Sequence, residues 1–314
     1  MNCGAIAISS IALLAAAVHA ADVVPPPSAQ VTVVAERPGP RLWRVSSEHG
    51  TLWILGTQTP LPQHMKWRSA EVEAAIAASD EVLGAYSVSL RTTGLQPIEP
   101  QSLRRALPKK VYRRWIAMRD RYIDPRLDTE QLLPAAAALF LQAGAYEHAG
   151  LTSTDDVWRS IHGLARLYGV PVRRQQFEVE RESHEKISQR ESREAGVRFL
   201  VQTMDRLEAD LAMSSRRANA WADGDLATLM QLAPSDESYA AAFARSWPFL
   251  SDEEVARIIR NEDTRLAANF ERALNRNRTT FAALPIYLLT KRGGALSILA
   301  AAGYRVERPE DREG

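Results

Sequence analysis

Residues 42–61 read LWRVSSEHGTLWILGTQTPL. Leu42-Trp43-Arg44-Val45 and Thr51-Leu52-Trp53-Ile54-Leu55 are two short runs of aromatic, β-branched and aliphatic residues. Between them lies the polar stretch Ser46-Ser47-Glu48-His49-Gly50, with glycine at its end. Two β-prone runs around a short glycine-containing loop predict a hairpin. Folded structure is therefore expected to begin near Arg41.

The pattern changes beyond that hairpin. Residues 67–79 are rich in Ala and Glu and read as a helix, and Glu81 to Val88 as a third strand. From 101 to 163 the pattern is helical, punctuated by Pro108, Pro125 and Pro134. Val170 to Gln175 suits a short strand. The stretch 180–222 is the longest helical one, with Val197, Leu200, Met204, Leu207 and Leu211 falling on one helical stripe. Ser251 with Glu254 has the spacing of a capping box, opening a helix to about Leu274. Thr279 to Leu289 is β-prone, Gly294 to Ala302 helical, and Tyr304 to Glu307 a last strand. Hairpin, helix, strand, many helices, strand, helix, strand: this order predicts an α+β fold, helix-dominated, with a small mixed central sheet. The end strands are expected to pair with the first ones, making residues 41–314 one domain. There is no internal repeat.

Composition narrows the function classes. The chain of 314 residues carries 39 Lys+Arg against 38 Asp+Glu, a net charge of +1, with 46% hydrophobic residues. That is globular composition, neither disordered nor multispanning. A neutral balance argues against nucleic acid as partner. Residues 1–20 contain no Lys, Arg, Asp or Glu, and Ala5 to Val18 is nearly all apolar or small. With Val18-His19-Ala20 as a small-residue cleavage site, this reads as a signal peptide cut after Ala20 and an exported, periplasmic protein. The apolar run is shorter than the roughly 20 residues of a membrane span. Cys3, the single cysteine, would leave with it. Residues 21–40, rich in Pro and small residues, read as a flexible arm.

The residues that follow the hairpin carry a resemblance. Leu-Trp-x-Val, a turn and a strand ending in Gly56-Thr57-Gln58-Thr59 resemble the opening of the TraB/GumN family. Ala75 to Asp80 (AIAASD), Tyr168-Gly169-Val170-Pro171-Val172, Ala220-Trp221-Ala222-Asp223-Gly224-Asp225-Leu226, and Gly293-Gly294-Ala295-Leu296 with Gly303-Tyr304-Arg305-Val306 are similar to further segments of that family, in order. The resemblance covers about residues 41–307. It implies a fold related to Tiki-type proteases and the EreA/ChaN group. It also implies a site in which two Gly-x-x-His motifs and acidic residues hold a divalent metal that activates water.

At each such position the sequence departs from the family. Thr59 stands where the first histidine is expected, and Leu288, in Pro285-Ile286-Tyr287-Leu288, where the second is. Ala85, followed by Tyr86, replaces one Glu, and Gln175-Gln176 replaces Leu-Glu. Hydroxyl, methyl, amide and isobutyl groups are poor ligands for a divalent metal. No His or Glu lies within Thr57–Leu61, Leu83–Leu90 or Phe281–Leu289. The expectation is a family scaffold without metal and without other cofactor, binding or scaffolding rather than hydrolysing. The alternative is a hydrolase rebuilt around Gln58, Thr59, Tyr86 and Gln176.

Other candidates are weaker. His49 sits in the hairpin loop and His64 in a Pro-flanked loop just beyond Thr59, close enough to lean towards the pocket mouth, and both read as solvated loop residues. Glu180 and His184 stand four apart on the expected helix, a spacing that can chelate a metal, but their charged surroundings read as a salt-bridged outer face. Residues 101–123 hold eight basic residues and one acid, Asp120. Among them Arg104, Arg105, Lys109, Lys110, Arg113 and Arg114 form a candidate anion-binding patch, for an envelope protein, an anionic glycan or a lipid head group. The competing expectation is neutralisation in space by the acidic 178–194 region.

Overall fold

The hairpin forms as the sequence requires. In the computed structural model, which describes residues 39, 41–63, 65, 67, 70–92, 101–152, 156–181, 189–232 and 250–312, β1 (Leu42–Ser46) pairs antiparallel with β2 (Thr51–Thr57). After β3 (Leu61–Pro62) come α1 (Ala70–Ala77), β4 (Glu81–Thr92), α2 (Leu103–Ala106), α3 (Lys109–Tyr122) and α4 (Pro134–His148). Next are β5 (Leu151–Thr152), α5 (Asp156–Leu167), β6 (Val172–Arg181), α6 (Gln189–Ala222) and α7 (Leu226–Gln231). The described chain closes with α8 (Asp252–Arg276), β7 (Thr279–Pro285), α9 (Ile286–Thr290), α10 (Ala295–Ala301) and β8 (Arg305–Glu307). The signal-peptide reading lies outside the described residues, as do His64, His184 and all of the arm but Gly39, whose N–H donates to Ala222 O at 3.1 Å. No helix among the described residues is long and apolar enough to cross a membrane.

The fold is α+β and helix-dominated, around a mixed six-stranded sheet in the order β6-β4-β7-β2-β1-β8. Strands β6, β4, β7 and β2 are parallel, and β1 runs against both β2 and β8. The end strands do pair with the first: β7 lies beside β2, and β8 beside β1. Central strands flanked by helices are buried on both faces, which is why β7 reads Thr-Thr-Phe-Ala-Ala-Leu-Pro with nearly every residue buried. α8 opens on the expected capping box, Ser251 with Glu254. It runs antiparallel to β4, carrying Asn269 to Gln175 on β6 and, two turns further on, Arg276 to Glu81 at the start of β4.

Three boundaries differ from the sequence reading. Residues 286–290 are helix, not strand: Pro285 has no N–H for the ladder, ends β7, and caps α9 instead. β4 and β6 both run longer than expected, to Thr92 and Arg181. Glu180 is therefore on a strand, and helical spacing to residue 184 does not apply.

Two hydrophobic cores result. One lies on the sheet and contains Leu52, Ile54, Trp221, Phe270 and Phe281. The other is built by α2, α3, α4 and α6, with Leu103, Trp115 and Leu141 fully buried against the stripe Leu200, Met204 and Leu207. In this helical layer α3, α4 and α6 run in the same direction. Arg114 and Arg121 meet Asp205 and Glu208 in order along α6. Tyr122 at the end of α3 meets His148 at the end of α4, with ring centroids 5.5 Å apart.

Candidate functional site

The motifs that carry the resemblance sit at joints of the fold. A Cβ on Gly56 would come within 2.8 Å of the Trp43 ring and 3.2 Å of Ile286, so only glycine lets the hairpin and α9 close there. The Gly56 carbonyl accepts the buried indole N–H of Trp221 at 2.7 Å. Three residues on, Gly224 turns with φ +69, and a Cβ there would lie 2.6 Å from the Gly39 carbonyl oxygen. Asp225 then caps α7 by accepting the Thr228 N–H at 2.9 Å. Asp80 accepts the N–H groups of Arg278 and Thr279 at 2.8 and 3.0 Å, joining the end of α1 to the start of β7. Val82 N–H donates to Pro171 O at 2.9 Å and sets β4 beside β6.

The parallel strands point their carboxyl ends at one edge, where α/β sheets bind ligands. The sequence-chosen positions take up different surroundings around that edge. Thr59 is exposed beyond β2, and Gln58 is half-buried, its amide donating to Thr59 O at 2.9 Å. Leu288 is 1% exposed in the core, within α9. On β4, Gly84 and Ala85 form a bulge between Leu83, which pairs with Arg173, and Tyr86, which pairs with Gln175. The bulge leaves the Ala85 methyl exposed, and Gln176 is exposed on the strand face opposite Gln175. Of the expected set, only Tyr86 turns towards α8.

What gathers there is a different set, one residue out of step with the reading. Gln175 is buried, donates to Gly84 O at 3.0 Å, and accepts from the Asn269 amide. Arg272 reaches Asn269 at 3.4 Å. The Tyr86 ring lies 4.9 Å from Phe177, with its hydroxyl buried beside Glu262. Burial first, then the Glu262 carboxylate, holds the Tyr86 phenol far above its ordinary range. Glu262 and Asp263 are each only 5% exposed. Lys291, just past α9, forms an ion pair with Asp263. Sequence reasoning missed Glu262, Asp263 and Lys291. The one available signal was acid positions on α8 where a helical stripe would be apolar.

This donor set offers amides, a phenol and two carboxylates, one of which already holds an ammonium. Among the described residues no three His, Cys, Asp or Glu side chains come together. The other histidines stand apart: His49 is exposed in the hairpin loop, while His148 and His162 are exposed beside Tyr122 and Trp158.

The basic segment divides. All six of its candidate residues are exposed, but Arg114 pairs with Asp205, and its neighbours Arg121 and Arg119 pair with Glu208 and Asp120. The described neutralising acids are thus chiefly on α6, outside the 178–194 segment expected to supply them. Arg105, Lys109, Lys110 and Arg113 have no ion pair among the described residues.

A family model described as the TraB/PrgY/gumN family matches residues 41–308. No curated protein and no solved structure matches the chain.

Proposed function

The chain belongs to the TraB/PrgY/gumN family, and from that premise we propose that it keeps the family scaffold without a metal-dependent hydrolytic centre and acts by binding, as an exported protein. The observation that carries this reading is the occupancy of the sheet's carboxyl edge. The cation beside Asp263 is the Lys291 ammonium, and the remaining polar groups include the amides of Gln175 and Asn269, engaged with each other. A buried carboxylate matched to an ammonium has its charge balanced within the chain and needs no added ion. Thr59, Ala85, Gln176 and Leu288 bring no ligand in their place. The glycines and aromatics of the motifs serve the joints of the fold, which is consistent with a scaffold kept for its shape.

The test is the metal content of protein purified without chelator. Less than a tenth of an equivalent of any divalent ion is the expected result. One equivalent per chain, together with hydrolysis that Thr59→Ala abolishes, would establish the rebuilt enzyme instead. Export is tested separately, by the amino terminus of the protein recovered from the cell envelope, expected at Ala21.

A further inference from the structure

We propose that the amino-terminal end of the helical layer, where α2, the start of α3 and the start of α6 meet, docks on an anionic phospholipid surface. It shares no residue with the sheet edge. A metal found there would leave the docking intact, and absence of docking would leave the metal result unchanged.

Charge is the first ground. Arg104, Arg105, Lys109 and Lys110 are exposed on α2 and α3, and Arg193 and Arg198 join them from α6 across a groove. None of the six forms an ion pair among the described residues. Among the described residues the acids nearby are few. Glu194 lines the groove, and Glu130 is engaged by the Arg104 N–H at 2.9 Å and the Tyr112 hydroxyl at 3.0 Å. A chain with a net charge of +1 overall thus concentrates its surplus at one end.

The backbone adds to the same sign. α3 and α4 run in one direction and start at this end. Their cap positions, Pro108 and Leu133, make no side-chain cap bond, and neither first turn holds an acid. Helix amino termini are electropositive, and lysines there are unfavourable unless an anion answers them.

Apolar surface selects the occupant. The floor of the groove is Ala106, Pro108 and Val197. Beside it stands Leu133, 37% exposed, adjoining Pro134, whose Cβ is 3.6 Å from where a Gly196 Cβ would be. Cations around an apolar floor match the boundary of an anionic bilayer, where phosphates meet acyl chains. A soluble acidic polysaccharide offers the charge without any apolar counterpart.

The experiment is co-sedimentation of the full chain with vesicles of phosphatidylglycerol and phosphatidylcholine, against phosphatidylcholine alone. Binding is expected only to the anionic vesicles, and it weakens in high salt. The triple variant Arg105→Glu, Lys109→Glu, Arg193→Glu should bind at least roughly tenfold more weakly. Arg126→Glu, an exposed reversal beyond the far end of α3, should bind as the parent does. The neutral triple (Arg105→Gln, Lys109→Gln, Arg193→Gln) repeats the comparison should the reversals unfold the chain. Three results overturn the proposal: no preference for anionic vesicles, equal loss in Arg126→Glu, or retention on an acidic polysaccharide without vesicle binding.

Discussion

The sheet edge and the helical layer treat charge in opposite ways. At the sheet edge, Glu262 and Asp263 are almost wholly withdrawn from water and meet Tyr86 and Lys291 within the fold. In the helical layer, charges stand in solvent: Arg114 and Asp205 pair with side chains 44% and 52% exposed, and the cations at the amino-terminal end pair with nothing described. Buried charge must be matched internally or it destabilises the fold. Exposed charge costs little to leave unmatched, and so remains open to a partner.

The sharpest way to break this contrast is Lys291→Ala. It strands the Asp263 carboxylate in a buried site and should cost about 3–5 kcal/mol in chemical denaturation. Adding Asp263→Asn should restore a large part of that. A double variant no more stable than the single one would mean that the carboxylate is not the cause. Trp221→Phe comes next: it shrinks a fully buried ring and leaves the buried Gly56 carbonyl without its donor, a loss of at least about 1–3 kcal/mol. At the other extreme, Arg114→Ala in the helical layer should change stability by less than about 0.5 kcal/mol.

pH separates the two regions further. Because burial and Glu262 raise the Tyr86 phenol, the folded chain keeps a proton that the unfolded chain releases above the ordinary value of 10.0. Stability from this group is complete below that pH and falls as pH climbs beyond it. Tyr86→Phe should flatten the alkaline fall, and ultraviolet titration should show one fewer late-ionising phenol. A variant whose alkaline unfolding profile matches the parent's would remove Tyr86 from the buried cluster.

Much of the fold was legible because its signals are local. The hairpin, the capping box of α8 and the stripe on α6 depend on neighbours in sequence. The site was less legible, for a geometric reason. The bulge at Gly84–Ala85 resets which residues face α8, and side chains on a strand alternate, so one residue decides between interior and solvent. Reading straight through puts Ala85 and Gln176 in the cleft with Tyr86, whereas Ala85 and Gln176 are exposed and Gln175 is the buried neighbour of Tyr86. The Asp263–Lys291 pair and the meeting of α2 with Arg193 join positions that no local pattern connects.

The pairing of β2 with β7 sets a schedule for making the protein. β7 lies between β4 and β2, yet it is among the last segments translated, joining residues 51–57 to 279–285. Until it emerges, the β1–β2 hairpin and the β4–β6 pair are separate halves, while the elements of the helical layer are already complete. Contacts this distant in sequence close late. A chain that ends before β7 therefore loses not a tail but the strand that joins its two halves, and a nonsense change shortly before Thr279 acts as an interior deletion.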